Sequence, residues 1–105
     1  MFPAGGMGKY GKAFEDMQKK LQKLDLELKE RVVEAAAGGG MVKVKVNGAE
    51  EIVDIKIEKE VINPDDKGML EDLVLAAANE GIKKAKKLRE TELAKITGMV
   101  MPGLV

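Results

Sequence analysis

The sequence predicts an α+β fold made of a long helix, a three-stranded antiparallel meander and a long C-terminal helix. Two observations predict it. Apolar residues repeat at helical spacing near both ends of the chain, and the middle contains segments in which valine or isoleucine alternates with charged residues. The 105 residues correspond to a single domain, residues 1–105. A chain of this length builds a small core, so pairing with a second copy would help to stabilise it.

The first helix is predicted from Tyr10 to Arg31, after a glycine-rich start, residues 1–8, that is expected to be a flexible tail. Its apolar residues step by three and four positions, as in the seam of a coiled coil: Phe14, Met17, Leu21, Leu24 and Leu28. Five lysines are expected on the face opposite this seam: Lys9, Lys12, Lys19, Lys20 and Lys23. Leu26 lies off the seam and is expected to meet a second surface.

Three short strands are predicted in the middle of the chain: Val32 to Ala37, Val42 to Val46 and Val53 to Ile57. Gly38-Gly39-Gly40 separates the first two. Asn47-Gly48 separates the last two, and this dipeptide predicts a two-residue type I′ hairpin turn. That turn would pair Val46 with Ala49, Val44 with Glu51 and Val42 with Val53.

The second long helix is predicted to open at Asn63-Pro64-Asp65-Asp66, where Asn63 caps the helix and the acidic residues complement its dipole. Its core face comprises Leu70, Leu73, Val74, Ala77, Gly81, Ala85 and Leu88. The small residues Ala77, Ala78, Gly81 and Ala85 indicate that another backbone approaches closely, and together with Leu26 they favour a homodimer. Gly98 is expected to end the helix and to leave residues 99–105 as a flexible tail.

The composition excludes several function classes. The chain contains no cysteine, histidine or serine, which removes disulfides, thiolate metal sites and the commonest general base. We therefore expect no enzymatic activity, no cofactor, no metal site and no small-molecule substrate. No apolar run approaches the roughly 20 residues that span a bilayer, and the start lacks the pattern of a signal peptide. A cytoplasmic protein without a membrane partner is expected.

The charge is distributed unevenly although 18 basic and 18 acidic residues cancel. Residues 1–23 carry five basic and two acidic residues, residues 81–105 carry six and two, and the middle is acidic. The densest cluster comprises Lys83, Lys84, Lys86, Lys87 and Arg89. An ordinary solvated helix face is one interpretation of such a cluster. The other is an anion-binding surface, which basic ends flanking an acidic centre favour.

Several segments carry a family resemblance along the whole chain. They are the glycine-rich start, Met17–Lys23, Gly39–Gly48, Asp66–Val74, Ala76–Asn79 and the stretch from Gly98 to Gly103. On these segments the chain resembles the YbaB/EbfC family of bacterial nucleoid-associated proteins. The resemblance implies a homodimer with projecting helical arms, DNA binding and a role in nucleoid organisation. It also implies that the arms, built from the first and last helices, contact the DNA.

The expected function is therefore a homodimeric, nucleoid-located protein that binds double-stranded DNA with little sequence specificity. Because lysine is a point charge that rarely reads bases, the contacts are expected to be phosphate contacts. The candidate DNA-binding residues are Lys9, Lys12, Lys19, Lys20, Lys23, Lys83, Lys84, Lys86, Lys87 and Arg89. The alternative is a protein-binding adaptor or prefoldin-like holdase that grasps clients with apolar arm tips, formed by Phe2, Met7, Met99, Val100 and Met101.

Overall fold

The computed structural model describes residues 11–100, except for the side chains of residues 99 and 100. Helix α1 (Gly11–Glu30) is followed by strands β1 (Val32–Ala37), β2 (Val42–Asn47) and β3 (Ile52–Ile57) and by helix α2 (Lys67–Val100). Two 3₁₀ turns, Lys59–Val61 and Pro64–Asp66, connect β3 to α2. This order confirms the predicted α+β fold. The expected tail at residues 1–8 lies outside the described residues.

The sheet is an antiparallel meander in the order β1-β2-β3, and α2 packs across one of its faces. The valines of β2 are fully buried beneath the helix: Val42, Val44 and Val46. Gly81 of α2 lies so close to the sheet that a Cβ atom there would be 2.7 Å from Cγ2 of Val46 and 2.9 Å from Cγ2 of Val44. The predicted close approach is therefore confirmed, but the backbone that approaches belongs to the same chain. The small-residue face of α2 consequently gives no argument for a dimer.

The predicted hairpin register between β2 and β3 is wrong. The loop is longer than two residues: the N–H of Glu50 donates to the carbonyl of Asn47 at 2.9 Å, and Glu50 itself has a φ of 66°. Asn47 Oδ1 accepts from the N–H groups of Ala49 and Glu51, each at 3.0 Å. With a register shift after Lys45, the strands pair Val46 with Ile52, Val44 with Ile55 and Val42 with Ile57.

Gly48 explains why the Asn-Gly dipeptide does not form the tight turn. Its N–H donates to the carbonyl oxygens of Leu28 at 2.8 Å and Arg31 at 2.9 Å. A Cβ atom at Gly48 would lie 2.6 Å from Cδ2 of Leu28 and 2.8 Å from its carbonyl oxygen. The glycine therefore allows the hairpin loop to pack against the C-terminal end of α1, where its N–H donates to two carbonyl oxygens.

Both ends of α2 differ from the prediction. Asn63 does cap, since its side chain accepts from the N–H of Asp65 at 3.0 Å, but the cap opens a 3₁₀ turn and α2 begins at Lys67. At the other end the helix continues through Gly98 to Val100, so the predicted stop at Gly98 is wrong. The rest of the expected tail, residues 101–105, lies outside the described residues. Packing of the buried Ile96 against α1 stabilises this last segment, and it outweighs the roughly 1 kcal/mol that glycine costs within a helix.

The helices form an arm beyond the sheet, because α1 runs towards the sheet and α2 runs away from it. Leu24, Leu28 and Ile96 make the core of this arm, with Leu21, Leu88 and Leu93 packed against them. The molecule measures 71 × 24 × 21 Å, which is elongated for a chain of this length. The predicted seam is thus buried at Leu24 and Leu28, whereas Phe14 remains 57% exposed. Leu26 is 68% exposed and contributes to neither core.

Candidate nucleic-acid interface

The basic cluster of α2 lies on the helix where it leaves the sheet. Lys83, Lys84, Lys86 and Lys87 are exposed, as the sequence predicts. Within the described part of the chain, none of Lys83, Lys86 and Lys87 forms an ion pair. Lys84 Nζ donates to the backbone carbonyl of Glu34 in β1 at 3.1 Å. Three lysines of the cluster are therefore free to meet an external anion, and the fourth marks the flank of α2 that lies over β1.

Both arginines of the chain are engaged in ion pairs within the arm. Arg89 Nη1 lies 3.5 Å from Asp25 Oδ1 in α1, and Arg31 Nη1 lies 3.2 Å from Glu92 Oε1 in α2. The hydrogen bond from Lys95, and next the one from Arg31, hold the pKa of the Glu92 carboxyl below its usual value. Arg89 is thus directed towards α1 and half-buried, whereas the lysines of its cluster point to solvent.

The lysines of α1 fall into two groups. Lys12 and Lys19 are exposed on the face that points away from α2. Lys20 and Lys23 instead line a groove of about 540 Å³ between the helices, whose apolar floor includes Leu24 and Ile96. The expectation that all these lysines lie opposite the seam therefore does not hold for Lys20, which borders it. Lys9 lies outside the described residues.

Lys95 is a groove-lining lysine that is absent from the candidates predicted from the sequence. It lines the same groove as Lys20 and Lys23, across from them on α2. Its Nζ is 3.1 Å from Glu92 Oε1, and that carboxylate is shared with Arg31. A signal was present in the sequence, because Lys95 follows Lys84 and Lys87 at helical spacing and so continues their row.

The lysines of the sheet lie apart from the arm. The strand register places Lys45 directly between Glu34 of β1 and Asp54 of β3 on the outer face of the sheet. Opposite charges on neighbouring strands partly neutralise one another. Lys43 and Lys56 face each other in the next row of the same face. The sheet therefore presents mixed charge, and the arm presents the less compensated positive charge.

A second exposed surface is apolar. Ile52, Ile55 and Ile57 oppose buried valines of β2, so they point to the helix side of the sheet, yet they are 37–45% exposed. Leu75 and Ile82 project from α2 at 60% and 36% exposure. At 100° per residue they lie on the flank opposite Lys84. Because Lys84 reaches β1, this flank lies towards β3. Leu75, Ile82 and the three exposed isoleucines are together called the apolar surface between β3 and α2.

Other kinds of site are not found in the described part of the chain. Residues 11–98 contain no cluster of acidic side chains suited to a metal ion. None of the helices in the described range combines the length and apolarity needed to cross a bilayer. The candidate arm-tip residues of the holdase alternative, Phe2, Met7, Met99, Val100 and Met101, have side chains outside the described residues.

The fold and these surfaces define a small α+β protein whose helical arm carries exposed lysines. The chain belongs to the YbaB/EbfC DNA-binding family, whose model matches residues 4–100. It is 46% identical to a nucleoid-associated protein of Pelotomaculum thermopropionicum over 101 residues, which cover 95% of this chain and 96% of that protein. It is 45% identical to the nucleoid-associated protein Teth39_2199 of Thermoanaerobacter pseudethanolicus over 98% of this chain and 95% of that protein.

A solved structure has the same fold. The crystal structure of the uncharacterized protein HP0035 from Helicobacter pylori superposes with a TM-score of 0.77 and 26% sequence identity. The match covers 93% of this chain and all of that one. The expected family and the expected α+β fold are therefore confirmed.

Proposed function

We propose that this protein binds double-stranded DNA as a homodimer, with little sequence specificity, and acts as a nucleoid-associated protein without catalytic activity. The observation that carries the proposal is the group of exposed lysines on α2 that lack ion-pair partners among the described residues. Such a surface attracts the phosphate backbone and releases its counterions. Membership of a DNA-binding family and the names of the relatives support the same partner. A location at the nucleoid follows from that partner.

Low sequence specificity follows from which cations are available. Specific base contacts are made most often by arginine, whose planar guanidinium binds guanine with two hydrogen bonds. Here Arg31 is paired with Glu92 and Arg89 with Asp25. The free cations are lysines, which bind phosphates as point charges. We therefore expect contacts that position the DNA without reading it.

The homodimer is supported by the apolar surface between β3 and α2. Contiguous exposed apolar surfaces of this kind mark interaction sites. β3 is also an edge strand, whose outer backbone groups have no partner strand in the sheet. A second copy presents the same apolar surface and the same edge, so the two surfaces match across a twofold axis. The dimer would place two lysine-bearing arms on one molecule.

Two measurements test DNA binding. If a dimer neutralises roughly 6 phosphates, affinity for an arbitrary duplex should fall about a thousandfold between 50 and 200 mM salt. Reversal of Lys83 and Lys87 to Glu should weaken binding strongly, whereas the matched reversal of Lys43 and Lys56 should matter less. Absence of binding by the unaltered protein at low salt, or binding to a client protein that persists in high salt, would favour the adaptor alternative.

The dimer is tested by a charge placed in the apolar surface. Ile55→Asp should give a monomer by light scattering, because a carboxylate buried without a partner costs several kcal/mol. Val32→Asp is the control, since Val32 is exposed on the outer face of β1 and should leave the dimer intact. A monomeric unaltered protein at tens of micromolar, on the order of routine assay concentrations, would contradict the proposed dimer.

A further inference from the structure

The period of α2 places its lysines on different flanks of the helix. Lys84, Lys87 and Lys95 fall in one row with Thr91 between them, at steps of three, four and four residues, and all four side chains are exposed. From Lys84 to Lys95 the row spans eleven residue steps, or about 16 Å at 1.5 Å per step.

The contacts at the two ends of the row show which side of the arm it occupies. At one end, Lys84 Nζ donates to the carbonyl of Glu34, so the row starts beside β1. At the other end, Lys95 lines the interhelical groove together with Lys20 and Lys23. The two lysines of α1 therefore continue the row of α2 across the groove. The acidic residues of the groove, Glu27 and Glu92, are already paired with Lys23 and with Lys95 and Arg31 respectively.

The opposite flank of α2 has a different character. It carries the exposed Leu75 and Ile82, and Lys86 follows Ile82 one turn later. Arg89 lies nearer to this flank and is held by Asp25 of α1. Lys86 and Arg89 thus border the apolar surface, whereas Lys84, Lys87 and Lys95 border solvent on the other side.

We infer that the flank carrying Lys84, Lys87 and Lys95, joined across the groove by Lys20 and Lys23, is the side of the arm that contacts the DNA backbone. This inference rests on the proposed function and deepens it. The opposite flank of α2, which carries Leu75 and Ile82, then contacts the second copy of the proposed dimer. One helix would thus contact DNA on one side and the partner protomer on the other. Thr91 supplies a hydroxyl donor in the middle of the row. Lys95 becomes a DNA-contacting residue, and Lys12, Lys19, Lys86 and Arg89 lie outside the contact.

A pair of matched double variants tests the inference. Lys20→Glu with Lys87→Glu alters the proposed contact side. Lys19→Glu with Lys86→Glu alters the neighbouring residue in each helix, which is equally exposed but points about 100° away. Both variants change the net charge identically. Duplex affinity is measured by fluorescence anisotropy at several salt concentrations, with melting temperature and dimer mass as controls for folding.

The first variant should lose at least tenfold more affinity than the second. Its salt slope should fall by about two for each protomer in contact with the duplex, since each lost phosphate contact lowers the slope by about one. The slope of the second should fall by less than that of the first. Lys95→Gln, which removes one charge, should lower the slope by about one. If either Glu variant alters melting or dimer mass, the corresponding Lys→Gln pair gives the same comparison without charge reversal.

Equal losses in the two double variants would overturn the inference and leave the proposed function standing. A larger loss in the second would place the DNA on the flank of Lys86 and also overturn it. Failure of the unaltered protein to bind any duplex at low salt would overturn the proposed function itself. These three results are distinguishable in one series of titrations.

Discussion

Gly81 and Gly68 lie in the same helix, and the structure predicts opposite effects for the same substitution. At Gly81 a new Cβ would lie 2.7 Å and 2.9 Å from methyl groups of Val46 and Val44, which are fully buried. Those β-branched side chains are stiff at χ1. At Gly68 no atom lies within 4 Å of the position of a Cβ. Neither glycine has a positive φ.

The magnitudes follow from two opposing terms. Replacing glycine by alanine within a helix gains roughly 0.5–1 kcal/mol, and inserting a methyl group into a packed core costs about 1–3 kcal/mol. We expect Gly68→Ala to raise the free energy of unfolding by about 0.5 kcal/mol, since only the first term applies there. Gly81→Ala should lower it by about 1–2 kcal/mol, because two contacts below 3.0 Å place the cost in the upper part of the range.

Urea denaturation at one fixed protein concentration measures both variants, because the stability of a dimer depends on concentration. Gly81→Ala should cost less in a Val46→Ala background than in the unaltered protein, since that background lacks the nearer methyl group. If Gly81→Ala stabilised the protein as Gly68→Ala does, the close approach of α2 to β2 would be refuted.

Two further outcomes are expected. Gly48→Ala should destabilise the protein by about 1–3 kcal/mol, because the new Cβ would collide with the side chain and the carbonyl oxygen of Leu28. Thermal melting measures this loss. An unchanged melting temperature would contradict the packing of the hairpin loop against α1. The pKa of Glu92 is lowered by Lys95 and Arg31, so its carboxylate stabilises the folded state at neutral pH. This contribution to the free energy of unfolding should be lost as the pH falls below about 4.3, the ordinary pKa of a glutamate. The stability difference between the unaltered protein and Glu92→Gln should therefore shrink on acidification, and a constant difference would refute this assignment.

The helices and strands could be predicted because their signals are local. The spacing of Leu21, Leu24 and Leu28 indicates a helix whatever lies beside it, and the alternation in β2 indicates a strand with one buried face. The cap at Asn63 depends on a hydrogen bond two residues away along the chain. The small residues of α2 likewise indicated a close packing partner. The pattern does not indicate whether the packing partner of α2 is the sheet of the same chain or a second copy.

Tertiary contacts decided the features that the sequence left open or predicted wrongly. Gly48 suits a tight hairpin turn, but in the structure it allows the hairpin loop to pack closely against Leu28. The pairing of β3 with β2 therefore differs from the register that a tight turn predicts. Gly98 signals a helix end, but packing of Ile96 against α1 carries the helix further.

The same division holds for the candidate site. The sequence by itself determined that lysines concentrate on the two helices of the arm, because charge and period can be read along one chain. Only the tertiary structure shows that Lys20 and Lys23 line the same groove as Lys95. It also shows that Arg89 lies 3.5 Å from Asp25 of α1 and so does not share the free exposure of the neighbouring lysines. The physical reason is that each helix presents several flanks of similar composition. Which flank meets the sheet, the other helix or solvent depends on how residues distant in sequence pack together.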